Sequence, residues 1–301
     1  MIKYLTKQFS VIALLSVIAA VSTVIIGGVV RVTGSGLGCP DWPLCHGQII
    51  PPLEVSAWIE YMHRLSATLS GLFTITTLLV AIKKFGFSHL ITKMMILITI
   101  LLFVQGLLGA YTVLTELSPY IATIHTAIGI IYVSLLTVIF SLTSTFNFPM
   151  LNYKEKRVKE FKTANLILSV GTFLLLISGT IVTRTVGASL ACKSFPLCGT
   201  PITEMIDLHW IHMLHRVLGL LIMIYLSHTV LKSLKLNIQL INNMMYFISV
   251  LLTIQVILGL GNVILQLPTE IRAMHVAVGI LFFTSCTLLT ARLWKDTILK
   301  E

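Results

Sequence analysis

Arg31-Val32-Thr33-Gly34-Ser35-Gly36-Leu37-Gly38-Cys39-Pro40-Asp41-Trp42-Pro43-Leu44-Cys45 decides how this chain is built, because a second version of it follows. Arg184-Thr185-Val186-Gly187 leads to Cys192-Lys193-Ser194-Phe195-Pro196-Leu197-Cys198, a shift of 153 positions. Outward from this pair, His63-Arg64 returns as His215-Arg216 and Gln105-Gly106-Leu107-Leu108-Gly109 as Gln255-Val256-Ile257-Leu258-Gly259. His125-Thr126-Ala127-Ile128-Gly129-Ile130 returns as His275-Val276-Ala277-Val278-Gly279-Ile280. Offsets of 150 to 153 divide the chain into halves 1–150 and 151–301, in which four histidines and four cysteines fall at paired places.

With 56% hydrophobic and 11% charged residues among 301, and a mean hydropathy of +0.96, the chain has too little polar surface for a soluble globule. It reads as a membrane protein. Uncharged stretches at 8–30, 65–82, 94–115, 163–183 and 273–291 each fit one crossing, and the longer runs 117–153 and 236–269 each hold a crossing plus a loop. The sixth crossing is the least obvious. Only 217–231 is uncharged there, and Trp210 to His215 extend it to spanning length. The expected fold is all-α, with eight transmembrane helices as two tandem, pseudo-symmetric four-helix bundles. An even number of crossings per half gives both copies the same orientation, related by a two-fold axis along the membrane normal. Asn147, Pro149, Asn152 and the run Lys154 to Arg157 mark a linker in 147–162.

Lys and Arg are retained on the cytoplasmic side of short loops, which places both termini inside. The basic residues left outside are Arg31, Arg64, Arg184, Lys193, Arg216 and Arg272, mostly beside the repeated motifs. The net charge of +10 is then a topology signal, and the basic residues are not gathered on one face as nucleic-acid binding requires. Lys3 and Lys7 before an apolar run resemble a signal peptide, but the matching segment 163–183 is internal, so the first crossing is expected to be retained. No Arg/Ser-rich transit extension precedes it, which favours a bacterial plasma membrane, with the cysteine loops on its outer face. Thr33 to Gly38 looks like a phosphate-cradling glycine loop, but it follows a membrane helix and lacks the Lys-Ser/Thr grip; it reads as a turn.

A single intramembrane histidine is more often a packing residue than a ligand, although ionisable groups at such depth lean toward function. Here four occur in matched pairs. His63 and His125 each read as about six residues into the second and fourth crossings, roughly 9 Å below the outer surface, and His215 and His275 repeat this. Two imidazoles at equal depth in one bundle can take the two faces of a haem iron, which implies two such sandwiches. Zinc would want three or four ligands per site, and each bundle offers two in register. Arg64 and Arg216 directly follow a ligand, so they can meet a haem propionate or snorkel to lipid phosphates.

Glu60 breaks the symmetry. It lies three residues before His63 on the same helical face, whereas the second half has His212 there. A carboxylate at that place can act as acid, base or stabiliser of positive charge, or it can be a solvated interfacial residue. This suggests that the first half does chemistry and the second holds a redox haem. Cys39/Cys45 and Cys192/Cys198 read as two outer disulfides. The structural role leads for the second pair, while a redox role stands beside it for the first. Cys286 reads as a small apolar filler, and His46, His89, His209 and His228 as interfacial or hydrogen-bonded residues.

Glu60-Tyr61-Met62-His63-Arg64, the Cys39–Cys45 loop with Trp42-Pro43-Leu44-Cys45, Leu190-Ala191-Cys192 to Pro196-Leu197-Cys198, and His125, His215 and His275 together resemble the bacterial haem A synthase family. The resemblance covers both halves. It implies oxidation of the C8 methyl of haem O to a formyl group by successive hydroxylations, giving haem A for terminal oxidases. It further implies that His215 and His275 hold a haem b cofactor, that His63 and His125 receive the substrate, and that Glu60 is catalytic. His212 is a local departure. Expected partners are haem O, haem O synthase and a membrane redox donor or acceptor, with a homo-oligomer left open; nucleic acid is not among them. Another class stays open: a quinol-linked, bis-histidine electron-transfer protein that leaves haem unmodified. A third reading, a thiol oxidoreductase using the outer cysteines, predicts activity that survives loss of the histidines.

Overall fold

The computed structural model describes residues 2–144 and 155–299. Helices account for almost all of it: α1 Ile2–Val32, α2 Val55–Phe85, α3 Leu90–Leu114, α4 Pro119–Thr143, α5 Glu155–Arg184, the short α6 Ala188–Ala191, α7 Asp207–Leu236, α8 Gln239–Ile264 and α9 Thr269–Ile298. Among the described residues there is no strand, and the one isolated bridge joins Cys45 to Gln48. Eight of these helices are long and apolar enough to cross a membrane, so the protein is a multi-pass membrane protein.

The chain forms two compact units, Met1–Asn147 with Lys295–Glu301, and Phe148–Trp294. The boundary expected at 150/151 and its linker residues Asn147, Pro149, Asn152 and Lys154 lie outside the described residues. In the first unit α1 packs on α2 and α4, and α3 packs on the same two helices, which closes a four-helix ring. In the second, α7 packs on α5 and α8, while Phe161 and Leu168 of α5 share a buried core with Ile241 and Met245 of α8 and Phe282 and Leu289 of α9.

Apolar packing gives little orientation in lipid, so buried hydroxyls and amides fix the helix faces. In the first unit Ser16 meets Thr77 at 2.9 Å, and the Tyr132 hydroxyl joins Ser70 at 3.1 Å and Thr74 at 2.6 Å. In the second unit the amide of Asn165 donates to Thr290 Oγ1 at 2.6 Å, and Ser169 joins the same hydroxyl at 2.7 Å. Tyr132→Phe strands two hydroxyls without opening a large cavity. It should cost about 0.6–1.7 kcal/mol of stability, read from unfolding of the detergent-solubilised protein, and leave bound pigment unchanged.

The helices outrun the uncharged windows of the sequence. α2 starts at Val55, ten residues ahead of the uncharged stretch 65–82 and close to the start implied by placing His63 about six residues in; Glu60 and Arg64 pair at 3.1 Å within it. His63 and His215 stand eight residues into their helices, about 12 Å along the axis, while His125 and His275 stand six in, about 9 Å. The α3–α4 and α8–α9 turns also repeat. Each has two consecutive non-glycine residues at positive φ, Glu116 and Leu117 in one, Gln266 and Leu267 in the other. Leu117 N–H returns to Thr112 O at 2.9 Å and Leu267 N–H to Asn262 O at 2.8 Å, so both helices end in the same wrapped fashion.

Candidate functional site

Every one of the four paired histidines leans on a glycine of the preceding long helix. A Cβ added to Gly27 of α1 would lie 2.8 Å from Cε1 of His63, and one on Gly109 of α3 would lie 3.2 Å from Cε1 of His125. In the second unit Gly179 of α5 stands in this way to His215 at 3.0 Å, and Gly259 of α8 to His275 at 3.2 Å. Each ring edge fills the space where a side chain would begin. The glycine therefore limits the plane and height that the half-buried imidazole can take. His215 and His275 lie within electrostatic reach of one another.

A second glycine follows each paired histidine of α4 and α9. Gln105 Nε2 sits 2.9 Å from a Cβ built at Gly129 and donates to the His125 carbonyl at 2.9 Å. Gln255 Nε2 occupies the equivalent notch at Gly279, at 3.1 Å. Both glutamines and both glycines belong to the repeated motifs, so the repeat marked them without giving their role.

Glu60 is buried, with a 7% exposed side chain, which answers the alternative that it is a solvated interfacial residue. Its Oε1 accepts from Arg64 Nε at 3.1 Å. The same guanidinium donates to Asp41 O and Leu44 O at 2.8 Å and to Cys39 O at 2.8 Å. Arg64 thus ties the Cys39–Cys45 loop to the turn of α2 that carries both Glu60 and His63. Arg216 makes the matching set, to Ser194 O at 2.6 Å, Leu197 O at 3.1 Å and Cys192 O at 3.3 Å. The sequence offered propionate or lipid phosphate as partners; the loop carbonyls are a third kind, visible only once the loop is folded back. His212, at the place of Glu60, is buried and meets Ala188 O through Nδ1 at 3.1 Å.

Both disulfides are formed, Cys39–Cys45 and Cys192–Cys198. All four cysteines are buried, Cys39 and Cys45 against Ala57 and Tyr61, and burial shields the sulfurs from thiol attack, which supports the structural role. Gly38 seats the first loop: a Cβ there would lie 2.2 Å from Ser56 O, so the two backbones meet where only glycine fits.

Asp41 closes this loop on itself. His46 N–H donates to its Oδ1 at 2.6 Å and Gly47 N–H to its Oδ2 at 2.7 Å. The Gly47 N–H, ahead of the His46 N–H and the Arg64 charge, holds the Asp41 carboxyl below its ordinary value of 3.8. A lowered folded-state pKa means that the loop's order is complete above that ordinary value and is lost as pH falls through the lower one. Protection of the His46 and Gly47 amides, taken relative to their intrinsic exchange rates, should hold from neutral pH down to about 4 and fall below it, and Asp41→Asn should show low protection throughout.

The remaining histidines serve locally. His89 Nδ1 caps α3 by accepting from Ile91 N–H at 3.1 Å, and His209 Nδ1 accepts from Ile206 N–H at 3.2 Å. His46 meets Gly38 O at 2.9 Å, His228 lies beside Tyr225, and Cys286 is buried in the second core. Among the described residues no three His, Cys, Asp or Glu side chains gather as a metal cage of protein ligands requires.

These features define a class: a duplicated eight-helix membrane protein that seats one histidine pair in each half and a buried carboxylate beside only one of them. Comparison gives the family. Residues 10–57 and 53–287 match the profile of the cytochrome oxidase assembly proteins, and the chain belongs to that family. It is 30% identical to the haem A synthase of Bacillus cereus (strain AH187) over 91% of each chain, and 29% identical to that of Bacillus pumilus (strain SAFR-032) over 91% of this chain and 90% of the relative. The haem A synthase of Geobacillus kaustophilus (strain HTA426) is 32% identical over 68% of this chain and 65% of its own.

Proposed function

We propose that this protein is a haem A synthase that oxidises the C8 methyl group of haem O to a formyl group, making haem A for terminal oxidases. The observation that carries the reading is the set of four glycine-seated histidines with one buried carboxylate, Glu60, in a chain that matches named haem A synthases along most of its length. A porphyrin iron takes four positions from its ring and needs two more, so a pair of imidazoles per bundle suits it. The glycine seats are the fit test: each holds an imidazole by its edge in the same way, and the two rings of a half are of the donor type that a haem iron takes.

In this reading residues 151–301 hold haem b through His215 and His275, and residues 1–150 receive the substrate between His63 and His125. When bound, the haem groups supply the redox chemistry. The chain supplies position and charge. Arg64 fixes the Glu60 carboxylate through Nε, and the seated loop above it limits water. Methyl oxidation takes hydrogen from carbon and builds positive charge there, so Glu60 accepts the proton or offsets the charge. The Arg64 and Arg216 N–H groups that the loops leave unused would meet propionates. The charge pattern supports a plasma-membrane protein with cytoplasmic termini and outer cysteine loops. Haem O synthase and a membrane redox donor or acceptor are the expected partners.

The experiment is haem extraction from membranes that contain the protein and are supplied with haem O. A formyl-bearing product supports the synthase. Recovery of haem b alone, with haem O unchanged, supports the electron-transfer reading instead.

A further inference from the structure

The halves differ at the residue just before the first glycine seat. It is Ile26 before Gly27 in α1, and Ser178 before Gly179 in α5. Ser178 Oγ donates to Leu175 O at 2.8 Å and lies 2.9 Å from His215 Nδ1. A hydroxyl has one proton, and the helix carbonyl takes it. The Ser178 oxygen must then accept from Nδ1–H, which leaves the lone pair on Nε2, the nitrogen free to ligate iron. In the first half the Ile26 side chain can do none of this. His63 Nδ1 is buried, makes no hydrogen bond of normal geometry, and has only the Thr23 carbonyl nearby.

We infer that Ser178 is a positioning residue that makes the second half a site of retention, while Ile26 in the same place makes the first half a site of exchange. The inference rests on the haem reading above and deepens it. A resident cofactor has to stay through many turnovers; a substrate has to leave once oxidised. Both rings are placed by glycine and both have a helix carbonyl near Nδ1, Thr23 O for His63 and Leu175 O for His215, but only His215 also has a side-chain oxygen at hydrogen-bond distance behind it, which strengthens it as a donor. Removing such a bond typically weakens metal binding 10–100-fold.

The test uses full-length protein in nanodiscs, with His63→Ala and His125→Ala so that only the second half carries pigment. Haem release to apomyoglobin, the low-spin electron paramagnetic resonance spectrum and the midpoint potential are measured. Ser178→Ala should release haem about 10–100-fold faster, shift the low-spin g values and raise the potential, while Ser178→Thr, which keeps the hydroxyl, should behave as the parent. If Ser178→Ala does not fold, Ile26→Ser in the otherwise native protein carries the test by slowing release from the first half. Unchanged release and spectra in either variant overturn the inference. A native second half without haem sinks both the inference and the reading beneath it, whereas native haem binding without haem A formation sinks only the synthase.

Discussion

Glu60→Gln should lower haem A formation by about 10²–10⁴-fold while the second-half haem stays in place. Glutamine keeps the size of the side chain, and its amide oxygen can still accept from Arg64 Nε, so the loop anchor and the helix survive. What disappears is the negative charge and the capacity to hold a proton that the proposed reaction assigns to Glu60. The second half already carries a comparable change, since His212 stands at that position and spends its Nδ1 on the Ala188 carbonyl. The measurement is the ratio of haem A to haem O extracted from membranes, together with the absorption of the second-half haem as a folding control. Formation within a few-fold of the parent removes Glu60 from the reaction.

Gly27→Ala and Gly179→Ala should each disable one half and spare the other. An added Cβ falls 2.8 Å from His63 Cε1 or 3.0 Å from His215 Cε1, where backbone on one side and a packed ring on the other leave little freedom to yield. The ring has to tilt or slide, and a displacement of about 1 Å at a reacting centre costs around 10²-fold. Gly27→Ala should therefore lose haem A formation at constant second-half pigment, and Gly179→Ala should lose that pigment. Gly106 supplies the contrast, because nothing lies within 4 Å of a Cβ placed there. Gly106→Ala should be silent in both assays, and a loss as large as at Gly27 would show that any helical alanine is disruptive.

Most of the fold was legible because the sequence carries its own comparison. The repeat paired the histidines, the cysteines and the glutamine and glycine motifs, and hydropathy supplied the crossings. Helix ends were read less well. Glu60 and Arg64 looked like polar residues near a boundary, and α2 runs through them from Val55 with the two paired. Arg64 and Arg216 were marked as needing a local reason, but their partners are carbonyls of the cysteine loops, which no residue type announces. The seats at Gly27 and Gly179 were missed because an isolated glycine in an apolar run has many explanations. Ser178 was missed for the opposite reason: the halves differ there, and a search for likeness passes over it.

The pairing of each seat with its ring has a consequence for how such a molecule can arise. Gly27 and His63 belong to α1 and α2, Gly109 and His125 to α3 and α4, and the second unit repeats the scheme with α5 and α7, then α8 and α9. Every antiparallel helical hairpin is thus a complete half-clamp, with lever and stop encoded side by side. A doubled gene copies these clamps whole, and one copy can drift toward a new task without disturbing the grip of the other.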